Sequence, residues 1–208
     1  MSPATTLLPA LLGLGTGLAL IVAIGAQNAY VLRLGIAARP RLVALVVVIC
    51  AVSDAVLIAA GVLGVGAIIE RAPVVLIIIR IVGSAFLLAY GLMAARRVRR
   101  PSSLVPAAIG NTSARSAALT ILALTWLNPH VYLDTVILLG SIANQQGQDE
   151  RWWWAGGAVL GSLLWFGALG FGARLLRPFF ARPSSWRILD AVIAVVMLTL
   201  GIRLAIGL

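Results

Sequence analysis

Uncharged apolar runs of twenty or more residues recur along nearly the whole chain, and this feature restricts the fold more than any other. A helix of that length, rising about 1.5 Å per residue, crosses the roughly 30 Å hydrocarbon core of a bilayer. A soluble domain does not need such a surplus: of 208 residues, 62% are apolar and 11% charged. In lipid the backbone must satisfy its own polar groups, which helices do within a single segment. The expected fold class is therefore all-α, a polytopic membrane protein with no water-soluble domain.

The runs place candidate helices at 7–32, 42–69, 74–95, 116–143, 152–173 and 187–208. The first, second and fourth exceed the bilayer thickness, so they must tilt, protrude or break. Sorting the arginines by alternate loops separates the two faces. Arg33, Arg39, Arg41, Arg96, Arg97, Arg99, Arg100, Arg115, Arg174, Arg177, Arg182 and Arg187 fall on one side, and only Arg71, Arg151 and Arg203 on the other. By the positive-inside rule the first set is cytoplasmic, which puts both termini and the loop 144–151 outside. The net charge of +10 thus reflects topology and contact with membrane lipid, and no nucleic acid is implied, because the arginines lie in short loops without interleaved aromatics. The opening stretch lacks a charged n-region and reads as a retained helix, not a signal peptide. Cys50, the only cysteine, allows no intrachain disulfide and reads as a core residue. Trp152, Trp153 and Trp154 read as an interfacial belt, and Gly13, Gly15 and Gly17 as sites of close helix approach.

Six spans divide into two halves of opposite orientation: repeat one at 1–95, a cytoplasmic linker at 96–115 and repeat two at 116–208, all within one transmembrane domain. Several correspondences support this division. Ser53 precedes Gly61 by eight residues and Ser162 precedes Gly170 by eight, while Leu88, Ala89, Tyr90, Gly91 resembles Leu198, Thr199, Leu200, Gly201. The first and fourth spans each carry a polar break, Gly25 to Leu32 and Leu127 to Asp134. Pro129 removes a backbone hydrogen bond, so groups near Asn128 need other partners. Broken helices at matching positions in two halves point to a binding site, although a kink packed by Asn and Gln as interhelical glue has the same signature.

Asp54 lies twelve residues into the second span, roughly 18 Å deep. A carboxylate at that depth must face a polar cavity, carry a proton or pair with a cation. Asp134 and Arg80 share a depth on the outward half and are expected either to form an ion pair or to act as an outer gate or second cation site. Asp190 and Arg203, near the ends of the sixth span, are expected to snorkel to the interface without a functional role. His130, the only histidine, serves either a proton relay or a hydrogen-bonded core role, and with one distant cysteine no metal site or cofactor is indicated. The candidate substrate-binding residues are Asp54, Gln27, Asn28, Asn128 and Pro129, together with Asp134, Tyr30, His130 and Ser53.

The stretches GAQNAYVLRLGI (25–36), SDAVLIAAGVLGV (53–65), LTWLNPHVYLDT (124–135) and WFGALGFGA (165–173) closely resemble the lysine exporter family, in particular its lysine and arginine exporter branch. The Pro-Gly-Pro break of the homoserine and threonine branch is absent. The resemblance implies a secondary transporter of the bacterial inner membrane, exporting L-lysine or L-arginine under the proton motive force or membrane potential. Nothing like GxxxxGK[ST] is present to bind a nucleotide. Carried over by motif, the membrane aspartates fall on Asp54 and Asp134, and the break residues on Gln27, Asn28, Asn128 and Pro129. Competing classes are an exporter of another small amino acid, a membrane-embedded enzyme using His130 and Asp134 as acid and base, and a non-transporting subunit. A homodimer is compatible with the sequence.

Overall fold

A computed structural model describes residues 3–22, 25–64, 73–99, 112–128 and 131–206, which are helical with short connections. The helices are α1 (Pro3–Ile21), α2 (Ala26–Ala37), α3 (Pro40–Val62), α4 (Pro73–Arg99) and α5 (Ala114–Trp126). A π-helical segment, Tyr132–Leu139, continues into α6 (Gly140–Asn144). Next come α7 (Glu150–Gly172), two 3₁₀ turns at Ala173–Leu176 and Phe179–Ala181, and α8 (Pro183–Ile206). Local chemistry sets several of these ends. Pro40 occupies the first turn of α3, where its missing N–H costs nothing. Ser113 caps α5 by accepting from the Ser116 amide at 3.1 Å. Gly64 takes the left-handed φ of +83° that terminates α3.

Four helical stretches among the described residues are long and apolar enough to cross a membrane: Pro40–Val62, Arg80–Val98, Glu150–Leu176 and Ser184–Ile206. The pair α1 and α2, bent by 84° at its break, counts as a fifth if taken as one span. The first expected helix is interrupted, since α1 ends at Ile21 and α2 begins at Ala26, but most of the stretch 25–32, expected as the break, forms regular helix. The fourth expected helix is likewise interrupted. Its halves, α5 and 132–144, have 13 residues each and reach only about 20 Å apiece.

The helices are apolar on all sides, as lipid requires. Leu7, Leu8, Leu11, Val52, Val56, Ile188 and Val195 stay exposed at the periphery, where in water they would be a liability. Inside, glycines bring backbones together. A Cβ on Gly140 would fall 2.7 Å from the Cα of Gly61, and one on Gly35 would run into the carbonyl of Gly170. Between α4 and α8 a Cβ on Gly91 would meet Leu198 Cγ at 2.9 Å, and one on Gly201 would meet Leu88 Cγ at 2.9 Å. Gly13 and Gly17 lie against the backbones of Trp154 and Ala158, whereas Gly15 faces open space. Trp152 and Trp153 are exposed as a belt requires, but Trp154 is buried against α1, which corrects the reading of all three as interfacial. Cys50 is buried and unbridged.

Candidate functional site

The break between α1 and α2 leaves the last carbonyls of α1 without helical partners. Asn28 answers one of them: its Nδ2 donates to the Ile21 carbonyl at 2.7 Å, while its Oδ1 accepts from Trp165 Nε1 of α7 at 3.2 Å. A single side chain thus ties both sides of the break to α7. The second break is tied similarly. Tyr132 donates its hydroxyl to the Trp126 carbonyl at 2.8 Å, and the Trp126 indole donates to Ser53 Oγ on α3 at 3.2 Å.

Between the two breaks lies a cavity of about 220 Å³. That is at least roughly fifteen times the volume a single water needs. Its wall is formed by Leu20 and Ile21 at the end of α1, residues 25–28 at the start of α2, Asp54 of α3 and Asn128. Val131, Asp134, Thr135 and Leu139 also line it, with Phe166 and Leu200. The Asp54 side chain accepts from Ser162 Oγ of α7 at 2.5 Å, and the residue is 5% exposed. Among the described residues no cation pairs with it, since both ion pairs there fall on Asp190. Gln27 Nε2 is buried without a hydrogen-bond partner. The cavity thus carries a buried carboxylate on its lining, with the Gln27 side chain beside it.

Of the residues singled out from sequence, the structure brings Asp54, Gln27, Asn28, Asn128 and Asp134 to one cavity. Tyr30 does not join them. It is packed in the apolar core, edge-on to Tyr90 with ring centroids 6.4 Å apart, because α2 turns that face away from the cavity. Ser53 is buried beneath Trp126 and positions the break without lining the cavity. Pro129 and His130 lie outside the described residues. Arg80 and Asp134 form no salt bridge among the described residues. The Arg80 guanidinium is engaged by the Leu204 and Ala205 carbonyls at 2.8 and 2.9 Å, freed at the end of α8.

Asp190 does not snorkel. It is 2% exposed and bound by Arg33 of α2, with Arg97 Nε of α4 at 3.1 Å. Arg33, read from sequence as a loop residue, is itself buried. The periodicity of α8 held no sign of this cluster, whose members lie 93 and 157 residues apart in sequence. Ser162, Asp54's partner, was visible only as the repeat counterpart of Ser53.

Sequence comparison decides what kind of protein carries this cavity: the family model for the LysE type translocator matches residues 18–208. The chain belongs to the LysE type translocator family. Similar proteins include one of Mycobacterium tuberculosis provisionally named an amino-acid transporter, 48% identical over 181 residues (87% of this chain, 89% of its own). The arginine exporter protein ArgO of Yersinia enterocolitica is 41% identical over 196 residues (93% and 94%). The lysine exporter LysE of Corynebacterium diphtheriae is 36% identical over 224 aligned positions (94% and 97%). No solved structure matches the chain. As a LysE-type translocator the protein is a multi-pass membrane transporter and not an enzyme.

Proposed function

We propose that this LysE-type translocator exports a basic L-amino acid, L-lysine or L-arginine, across the bacterial inner membrane, driven by the proton motive force or membrane potential. One observation carries the reading: the Asp54 carboxylate is buried on a cavity wall with a neutral hydroxyl donor and no cationic partner among the described residues. A carboxylate held in so dry a place attracts a cation, and a passing ammonium or guanidinium group supplies one. The names of the arginine and lysine exporters among its relatives agree with that chemistry.

In this scheme the side-chain cation sits against Asp54, with Asp134 lining the same cavity. The substrate carboxylate faces the first turn of α2, whose cap residue Gly25 offers no side-chain acceptor to the free N–H groups. The carrier has six spans, with α5 and 132–144 in series forming the fourth, arranged as two inverted three-helix repeats. The glycine contacts support that arrangement: Gly61 with Gly140 and Gly170 with Gly35 are counterparts, each joining a long helix to the half-helix beyond a break. The Gly91 and Gly201 contacts exchange partners in the same sense. Both termini lie outside the cytoplasm. Counterflow in proteoliposomes with a panel of labelled amino acids tests the proposal. Lysine and arginine should exchange while neutral and acidic amino acids do not, and equal exchange of neutral amino acids would defeat the cationic reading.

A further inference from the structure

We infer that Arg33, Asp190 and Arg97 form the cytoplasmic gate of the translocator, a clasp that shuts the inner half of the pathway while the cavity is reached from outside. The inference rests on the orientation and transport reading proposed above.

The cavity is lopsided along the membrane normal. Most of its lining comes from the end of α1, the first residues of α2 and the segment 131–139, at or outward of the midplane in that orientation, while Phe166 lies on the cytoplasmic half of α7. On the cytoplasmic side of Gln27 and Asp54 the same helices are packed shut by Val31, Leu34, Val43, Val46, Ile121 and Ile193. At the inner edge of this plug lie Arg33 and Asp190, both buried. Buried ion pairs add little to stability, so an apolar pair would close a static plug at least as well. The charges make sense where the plug has to open.

The arrangement lets it open without stranding a bare anion. Asp190 carries two cations, Arg33 from α2 and Arg97 from the end of α4. Arg97 is partly exposed and rests over the Tyr90 ring at 5.8 Å, so it stays with α4. When Arg33 leaves, Asp190 keeps a counter-ion and the departing guanidinium reaches cytoplasmic water. The mobile partner sits on a suitable lever. α2 is a 12-residue half-helix set at 84° to α1, with Gln27 and Asn28 at its cavity end. Arg33 lies six residues further along, about 9 Å away on the same rigid rod. Its other ties to the α4–α8 pair are few, chiefly the edge contact of Tyr30 with Tyr90. Solute at the first turn of α2 and the clasp further along it therefore bias a single element, as coupling between two sites requires.

The test uses the full chain with Cys50→Ala and a reporter, Ala29→Cys, on α2 between cavity and clasp. Inside-out vesicles present the cytoplasmic face to a membrane-impermeant thiol reagent. Arg33→Gln, which leaves Asp190 on Arg97, should raise the labelling rate at least tenfold, while Arg33→Lys keeps the reporter protected. Arg97→Gln, which removes the stationary cation and leaves Arg33 on Asp190, should keep the reporter protected. A bridge that only stabilises the fold predicts a rise in both variants. Unchanged labelling in Arg33→Gln, or an equal rise in Arg97→Gln, overturns the gate. Binding of labelled arginine to the same purified proteins separates the two readings. Absence of binding to the otherwise unmodified chain removes the substrate proposal and leaves the labelling result standing.

Discussion

Asp54→Asn separates a carboxylate kept for a passenger from one kept for the fold. The side chain is 5% exposed and its one hydrogen bond given by a described residue is from Ser162, a neutral donor. Asparagine has nearly the same shape and retains an oxygen for that hydroxyl, so packing is conserved. What disappears is the charge. A hydrogen bond to a charged group contributes about 1.5–3 kcal/mol net, and two unit charges 4 Å apart at an effective dielectric of 20 attract by about 4 kcal/mol. Taking about 3 kcal/mol, and about 1.4 kcal/mol per decade, affinity for lysine or arginine should fall by roughly two orders of magnitude. Stability should move the other way or not at all, because an uncompensated buried carboxylate is a burden on the folded state. The pair of measurements is counterflow KM in proteoliposomes and thermal unfolding in detergent. A variant that keeps its KM, or melts well below the parent protein, would show that Asp54 serves an internal partner and would refute the reasoning.

Ser162→Ala should weaken transport less than Asp54→Asn. In the double variant the two effects should fall short of their sum, a coupling of about 1 kcal/mol or more measured as a double-mutant cycle on KM. Asn28→Ala removes donors and acceptors at both the Ile21 carbonyl and Trp165, so it should cost roughly 1–3 kcal/mol of stability, read from the detergent melt. Gly140→Leu cannot be accommodated 2.7 Å from Gly61. It should destabilise by at least about 1–3 kcal/mol, whereas Gly15→Leu, facing open space, should be close to neutral in the same assay.

The parts of the fold legible in the sequence are those that depend on local chemistry and depth. Apolar runs announced most of the membrane helices, and the Gly-Ala-Gln-Asn and Asn-Pro stretches announced the two interruptions, because backbone groups freed in lipid need polar residues close by. Depth along a span follows from a fixed rise per residue, which is why Asp54 was legible as a cavity residue. The direction a side chain faces around its helix is different. Helices apolar on every side carry no amphipathic stripe to orient them, so nothing local distinguished Tyr30, in the core, from Gln27, on the cavity. The Arg33–Asp190–Arg97 cluster was hidden for a related reason. Each member sits toward a helix end, where snorkelling is the ordinary outcome, and only the meeting of α2 and α8 buries Arg33 and Asp190, while Arg97 stays partly exposed.

The bare contact between Gly61 and Gly140 bears on motion as well as on packing. Where side chains interdigitate, one helix slides past another only if rotamers unlock together, and that concerted step sets a barrier. Here smooth main chain rests on smooth main chain, whereas at the other interruption Gly35 lies against the Gly170 carbonyl and Val43 and Val47 pack over the open side of Gly170. The half-helix beyond the second break thus runs on a plain bearing against α3. Were transport to shift that half, it would do so without disassembling the interior.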